Sequence, residues 1–123
     1  MNKHVLIADD EPNIVISLEF LMKREGYRVS IARDGDAALE AIRRERPDLV
    51  LLDVMMPGKS GFEVCQAVRG DEALAAVKIL MLSAKGRETD LAKGSALGAD
   101  AYMTKPFSTR ELADKVREML GPN

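Results

Sequence analysis

The sequence of this protein predicts a doubly wound α/β fold around a parallel β-sheet. Five apolar segments of strand length recur along the chain, namely HVLIAD, YRVSIA, PDLVLLD, VKILMLS and DAYMT. The segments between them carry apolar residues at helical spacing, which indicates a βα unit repeated five times. Several strands are apolar at nearly every position, a pattern typical of a sheet covered by helices on both faces. We therefore expect parallel strands joined by right-handed crossovers.

Turn and capping residues delimit the helices in order along the chain. Pro12 lies in the first turn of the first helix, and Asp34 precedes the second helix, which ends before Pro47. The last helix begins at STRE, where Ser108 can cap the first turn and Glu111 can reach back to it. Its apolar stripe runs almost to the C-terminus, so we expect one domain over residues 1–123 and no output domain.

Composition and charge exclude several classes of protein. The 123 residues are 46% hydrophobic and 31% charged with a net charge of −2, which excludes a disordered tail and any general attraction to nucleic acid or an anionic membrane. The sequence contains no apolar run that could span a bilayer and no signal peptide, so we expect a cytoplasmic protein. Cys65 and His4 are the single cysteine and the single histidine, a composition that indicates no disulfide and no Cys/His site. We expect Cys65 to be a core residue.

Polar side chains stand at the ends of four predicted strands. Asp9 and Asp10 follow the first strand, Asp53 ends the third, Ser83 ends the fourth, and Lys105 follows the fifth. Since the carboxyl ends of parallel strands meet at one edge, where open α/β folds bind ligands, we expect these side chains to converge. Two carboxylates about 4 Å apart repel by on the order of 4 kcal/mol at an effective dielectric of about 20. Three of them need a cation or shifted pKa values, and Mg²⁺, which accepts carboxylates, a carbonyl and waters, meets that need.

A metal site combined with a lysine and a hydroxyl is suited to phosphoryl transfer. The cations would neutralise the phosphoryl oxygens, and an aspartate can be the nucleophile that forms an acyl phosphate. Asp53 is the candidate acceptor, because it ends the strand that we expect at the centre of the sheet. The loop VMMPGKSG after it would give phosphate access.

Five segments of the chain resemble, in order, the receiver domain of bacterial two-component response regulators. They are IADDEP, ARDGDAALEAI, PDLVLLDVMMPGKSGFEV, ILMLSA and GADAYMTKPFSTREL, and they cover nearly the whole chain. The resemblance implies a flavodoxin-like sheet of five strands in the order 2-1-3-4-5, flanked by five helices. It also implies a stand-alone, chemotaxis-type switch, phosphorylated by a histidine kinase or a histidine phosphotransfer protein. The face around helix four, strand five and helix five would then bind a downstream protein.

The resemblance implies a role for each residue of the acidic site. Asp53 would be the phosphoacceptor, and Asp9 and Asp10 would bind Mg²⁺ together with it, with Asp10 favoured over Asp9 as a direct ligand. The backbone carbonyl of Met55 would complete the protein's share of the ligands. The side chains of Met55 and Lys85 would influence the lifetime of the phosphoryl group.

Three further residues would form the switch by the same resemblance. Ser83 and Lys105 would contact the phosphoryl group, and Tyr102 would exchange an outward rotamer for an inward one as Ser83 moves. A cis peptide bond would join Lys105 to Pro106, a geometry that X-Pro bonds adopt at modest cost.

The first predicted helix has apolar residues on two faces. Ile14, Leu18, Leu21 and Met22 form the predicted core stripe, with Val15 at its edge. Ile16 and Phe20 fall on the opposite face as an i,i+4 pair, and we expect both to be exposed. They could form a ridge on which the helical bundle of a kinase or phosphotransfer protein docks, although single exposed apolar side chains are ordinary.

Other functions compete with the switch. The GKS at residues 58–60 invites a P-loop interpretation, but that motif needs glycine where Asp53 stands. A Mg²⁺-dependent phosphatase or phosphotransferase with an aspartyl-phosphate intermediate would share the nucleophile, metal and lysine. It would also need a leaving-group acid, for example two residues after Asp53, where Met55 stands. A receiver cut from a longer DNA-binding regulator and a pure phosphate reservoir also stay open.

Overall fold

The structure analysed is a computed structural model that describes residues 2–84 and 88–121. Within these ranges the chain forms five strands, His4–Ala8 (β1), Arg28–Ala32 (β2), Leu49–Asp53 (β3), Lys78–Ala84 (β4) and Ala101–Lys105 (β5). The same residues form five α-helices, Pro12–Arg24 (α1), Gly35–Glu45 (α2), Gly61–Arg69 (α3), Glu88–Ala96 (α4) and Thr109–Leu120 (α5). A short 3-10 helix at Glu72–Leu74, which the periodicity did not predict, precedes β4.

The strands form one parallel sheet in the order β2-β1-β3-β4-β5. The predicted fold class, strand order and central position of β3 are therefore confirmed. Every strand runs in the same direction, so the carboxyl ends of β1, β3, β4 and β5 lie along one edge of the sheet.

Two hydrophobic clusters, one on each face, explain why the strands are almost continuously apolar. In β1 and β3, Leu6 and Leu52 belong to the cluster that includes residues of α2 and α3. Ile7 and Leu51 belong to the cluster that includes residues of α1 and α5. Since neighbouring residues of a strand point to opposite faces, every position of these two strands is buried. Cys65 is completely buried in the first cluster, as predicted.

Side-chain caps hold the helices at the predicted starts. Asp34 accepts a hydrogen bond from the backbone N of Ala37 at 2.7 Å, and Ser108 accepts one from the backbone N of Glu111 at 2.9 Å. Each cap satisfies a backbone N–H that has no partner inside its own helix. No helix of the described residues is long and apolar enough to cross a membrane.

The core stripe of α1 differs from the prediction at two positions. Val15 is fully buried with 1% of its surface exposed, whereas Ile14 is only partly buried. The spacing Val15, Leu18, Met22 fits helical periodicity as well as the predicted stripe does, so the pattern alone could not choose between them. The packing of α1 against the sheet and α5 decides in favour of Val15.

Candidate functional site

Three carboxylates converge at the carboxyl edge of the sheet. Asp9 follows β1, Asp10 comes next, and Asp53 ends β3. Each contributes one carboxylate oxygen to a group in which all the oxygens lie within 4.8 Å of one another. Asp9 and Asp53 are buried, and Asp10 is exposed. Oxygen donors so arranged, with one side open to water, fit a hard divalent cation that keeps some of its own waters.

Lys105 supplies a positive charge to this group. Its Nζ donates a hydrogen bond to Asp9 at 2.8 Å and lies 3.3 Å from Glu11 and 3.5 Å from Asp53. Burial opposes the charged form of Lys105, but the hydrogen bond with Asp9 and the charges of Asp53, Asp9 and Glu11 outweigh it, so its pKa is raised. The peptide bond between Lys105 and Pro106 is cis.

The environment of Asp53 disfavours its ionised form. Burial, followed by the charge of Asp9, raises the pKa of Asp53 to about 6, although Lys105 and the backbone N–H of Met55 pull in the opposite direction. The Met55 N–H donates to the Asp53 carboxylate at 3.4 Å. At pH 7 the carboxylate is therefore ionised and holds its charge in a poorly solvated place. A cation brought to the site would favour that charge further.

Two glycines, Gly35 and Gly61, shape the loop after Asp53. A Cβ on Gly61 would lie 2.3 Å from the backbone carbonyl oxygen of Asp53, and one on Gly35 would lie 1.9 Å from the carbonyl oxygen of Lys59. Gly35 also donates its backbone N–H to the carbonyl of Pro57. Any side chain at either glycine would displace the loop that borders the carboxylates. The signal in the sequence was the glycine in each of the segments RDGD and KSGF.

Ser83 lies at this edge but its hydroxyl points to another partner. Ser83 Oγ donates a hydrogen bond of 2.6 Å to Asp90 in α4, and both residues are buried. In the sequence, Asp90 looks like an ordinary helix acid, and no motif marks it. Tyr102 of β5 is partly buried and packs against the cluster on the α2 and α3 face. Lys85, expected to influence the phosphoryl lifetime, lies outside the described residues.

The two apolar residues on the outer face of α1 are exposed, as predicted. Ile16 and Phe20 have 63% and 67% of their surfaces exposed. The guanidinium carbon of Arg24 lies 5.9 Å from the centre of the Phe20 ring, so a cation borders the apolar pair. Met55 is also 60% exposed, beside the acidic group.

Comparison with known proteins places these features in a family. Residues 5–117 match the family model described as the response regulator receiver domain. A candidate response regulator from Chloroflexus aurantiacus superposes with a TM-score of 0.94 at 34% identity, over 99% of this chain and 100% of that chain. The chemotaxis response regulator CheY4 of Vibrio cholerae gives 0.91 at 32% identity, over 98% and 100%.

A third similar structure is a receiver domain with a metal. It belongs to a sensor histidine kinase of Pseudomonas aeruginosa and superposes with a TM-score of 0.90 at 27% identity, over 99% of this chain and 100% of that chain. That structure has a magnesium ion coordinated in its active site cleft. The matched span of the family model and the identity with the solved receivers lead to one conclusion: this chain belongs to the response regulator receiver domains, the phosphorylation-activated switches of two-component signalling.

Proposed function

We propose that residues 1–123 act as one receiver domain in which Asp53 accepts a phosphoryl group from a histidine kinase or a histidine phosphotransfer protein. The observation that carries the proposal is the position of Lys105, whose ammonium lies within 3.5 Å of Asp53 and contacts Asp9 at 2.8 Å. A nucleophile, a cation and two further carboxylates at the mouth of a parallel sheet are the parts that phosphoryl transfer to an aspartate requires.

The transfer itself needs an ionised Asp53. One oxygen of its carboxylate attacks phosphorus, the P–N bond of the donor phosphohistidine breaks, and the electron pair stays on the departing imidazole nitrogen, which takes up a proton. With a pKa of about 6, Asp53 is ionised at neutral pH. The Lys105 ammonium then offers a positive charge to the phosphoryl oxygens that gather at Asp53.

The donor set supports a magnesium requirement. Asp9, Asp10 and Asp53 would hold the ion with the backbone carbonyl of Met55, and water would complete the ligands. Bound Mg²⁺ would supply neutralisation of the charge on the phosphoryl oxygens. The magnesium in the active site cleft of the Pseudomonas aeruginosa receiver supports this assignment.

The output of the switch is proposed to be protein binding by the face around α4, β5 and α5. Ser83 and Lys105 would hold the phosphoryl group, and Tyr102 would move inward beside them. Carrying a two-state equilibrium from 1:99 to 99:1 takes about 5.5 kcal/mol of differential stabilisation. Several charge-assisted hydrogen bonds to a dianion can supply an amount of that order.

The exposed pair Ile16 and Phe20 is proposed as the docking ridge for the phosphodonor protein. Replacing both with Lys should slow transfer from that protein about tenfold or more, because hydrophobic anchors dominate such interfaces, and leave phosphorylation by acetyl phosphate unchanged. The check is a side-by-side comparison of the two rates. Equal slowing of both reactions would refute the docking role.

The main proposal is tested by intact-mass spectrometry after mixing the protein with acetyl phosphate. We expect one added phosphoryl group with Mg²⁺ present, none with a chelator, and none on Asp53→Asn. The group should then be lost through autodephosphorylation. Beryllofluoride, which does not turn over, is added in parallel to detect a phosphoryl group too short-lived for the mass measurement. If neither adduct forms, Asp53 is not a phosphoacceptor and the proposal fails.

A further inference from the structure

A buried hydrogen bond connects the end of β4 to α4. Ser83 Oγ donates to Asp90 Oδ2 at 2.6 Å, and the two residues expose only 1% and 4% of their surfaces. A short bond between a hydroxyl and a carboxylate is among the stronger hydrogen bonds of proteins. Asp90 does not belong to the acidic group at the mouth of the sheet, so its burial needs a separate explanation.

Asp90 has an unusual place in α4. Among the described side chains of this helix, from Thr89 to Ala96, that of Asp90 is the only buried one, and even Leu91 is 51% exposed. Gly94, the other buried residue between Thr89 and Ala96, approaches the sheet closely, since a Cβ there would lie 2.8 Å from the sulfur of Met81. Between Thr89 and Ala96 the buried contacts of the helix with the sheet are therefore a glycine and a carboxylate, while Lys93 lies over the Phe62 ring of α3 at 4.5 Å.

The chemistry of a hydroxyl makes two roles of Ser83 exclusive. A serine has one O–H proton, whereas an ionised carboxylate and a phosphoryl oxygen can only accept. The proton that now goes to Asp90 cannot at the same time go to a phosphoryl group on Asp53. Whatever stabilises the bond to Asp90 thus opposes the bond to the phosphoryl group.

We propose that Asp90 is a positioning residue that holds the Ser83 hydroxyl in the unphosphorylated state, so that phosphorylation must break the Ser83–Asp90 hydrogen bond and thereby loosens α4. This inference rests on the proposed function, because it takes Ser83 as a contact of the phosphoryl group on Asp53. It adds the physical link between the site and the helix: the same proton serves either the helix or the phosphoryl group. Loss of Asp90 should leave Ser83 free to serve the phosphoryl group.

A thermodynamic cycle with beryllofluoride tests the link. The wild type, Asp90→Ala, Ser83→Ala and the double variant are titrated with beryllofluoride in excess Mg²⁺, and binding is measured by calorimetry. We expect Asp90→Ala to bind about tenfold more tightly than the wild type, the change that corresponds to loss of one competing charge-assisted hydrogen bond. In the Ser83→Ala background the Asp90 substitution should have no further effect, because the hydroxyl that it competes for is gone.

Two additional variants separate positioning from general damage to α4. Thr89→Ala, exposed on the same helix, should leave the affinity unchanged. Asp90→Asn keeps the shape of the side chain and a weaker acceptor, so it should give an intermediate affinity for beryllofluoride. This variant replaces Asp90→Ala if that variant does not fold. An equal effect of the Asp90 substitution with and without Ser83, or no gain in affinity, would overturn the inference. Failure of the wild type itself to bind beryllofluoride would instead refute the proposed function.

Discussion

The amino and carboxyl ends of the strands, here called the amino and carboxyl edges, both carry polar and charged side chains. The two edges differ in how far these side chains balance one another in charge and hydrogen bonding. At the amino edge, His4 of β1 has its Nε2 2.7 Å from Ser30 Oγ, and Ser30 donates to Glu45 at 2.6 Å. The backbone N of His4 donates to Asp48 at 2.7 Å. Donors and acceptors are matched, and the group is closed by residues of β1, β2 and the end of α2.

The carboxyl edge is unbalanced by comparison. Among the described residues, Asp9, Glu11 and Asp53 all have the ammonium of Lys105 as an ion-pair partner, and Asp10 lies beside Asp9 and Asp53. Among the residues that the structure describes, the carboxylates Asp9, Asp10 and Asp53 form a group able to hold a metal ion, and the amino edge has no such group. Polar residues at a strand end are therefore not by themselves a site, and the excess of carboxylates marks the edge that we propose as functional.

The largest effect is expected when the carboxyl edge loses the ammonium of Lys105. Lys105→Met would leave the fully buried Asp9 without its ion-pair partner, so the free energy of unfolding should fall by about 3 kcal/mol. Millimolar Mg²⁺ should restore part of the loss, because the ion would compensate the same carboxylates. Denaturant titrations with and without Mg²⁺ measure both quantities.

A matched control is available on the surface of α1. Lys23 pairs with Glu19 at 2.9 Å, and its side chain is 61% exposed, so Lys23→Met should cost less than about 0.5 kcal/mol. If Lys105→Met were no more costly than this control, the idea of a charge-unbalanced edge would be wrong.

An intermediate effect, which depends on pH, is expected from the substitution Asp53→Asn. The carboxyl of Asp53 has a pKa of about 6 when folded and an ordinary value near 3.8 when unfolded, so the folded state binds the proton more tightly. Wild-type stability should therefore gain from this group as the pH falls from about 7 to about 4. Asp53→Asn should be more stable than the wild type at pH 8 by about 1–2 kcal/mol, which allows for solvent screening, and should lose the advantage near pH 4. Melting temperatures of both proteins across this range check the sign, and an advantage that grew at low pH would contradict it.

The smallest effect is expected at the amino edge, at His4. Its contribution to stability depends on pH in the opposite direction from that of Asp53. Burial, and after it the charge of Arg28, lowers the pKa of His4, although Glu45 and Asp48 oppose the change. The unfolded state then binds the proton more tightly, and the contribution of His4 to stability falls as the pH drops below about 6.5. His4→Phe should cost about 1 kcal/mol at pH 8, for the lost bond to Ser30, and less at pH 5. Thermal unfolding of the variant and the wild type at the two pH values measures the gap, and a gap that widened at pH 5 would contradict the proposed balance.

Local patterns in the sequence predicted most of the fold and the members of the acidic group. Strand-length apolar runs located β1 and β3, and the common direction of parallel strands brought Asp9, Asp53 and Lys105 to one edge. These inferences worked because they depend on periodicity and on chain direction, which a sequence expresses directly. The exposure of Ile16 and Phe20 followed from the same periodicity.

The partners of individual side chains depended on packing instead. Asp90 looks like any acid on an exposed helix, and only the approach of α4 to β4 buries it against Ser83. His4 acquires Ser30 through the register of β1 against β2, in which His4 pairs with Arg28 and Leu6 with Ser30. Val15 rather than Ile14 enters the core because of the rotation of α1 against the sheet.

By itself the sequence determined the alternation of strands and helices, the edge at which the acidic residues collect, and through its motifs the receiver family. The tertiary structure alone decided which hydroxyl meets which carboxylate, how Lys105 is shared, and that Asp53 has a raised pKa. The reason is physical: element type follows from the local spacing of apolar residues, whereas desolvation and hydrogen bonding depend on distances between residues far apart in the chain.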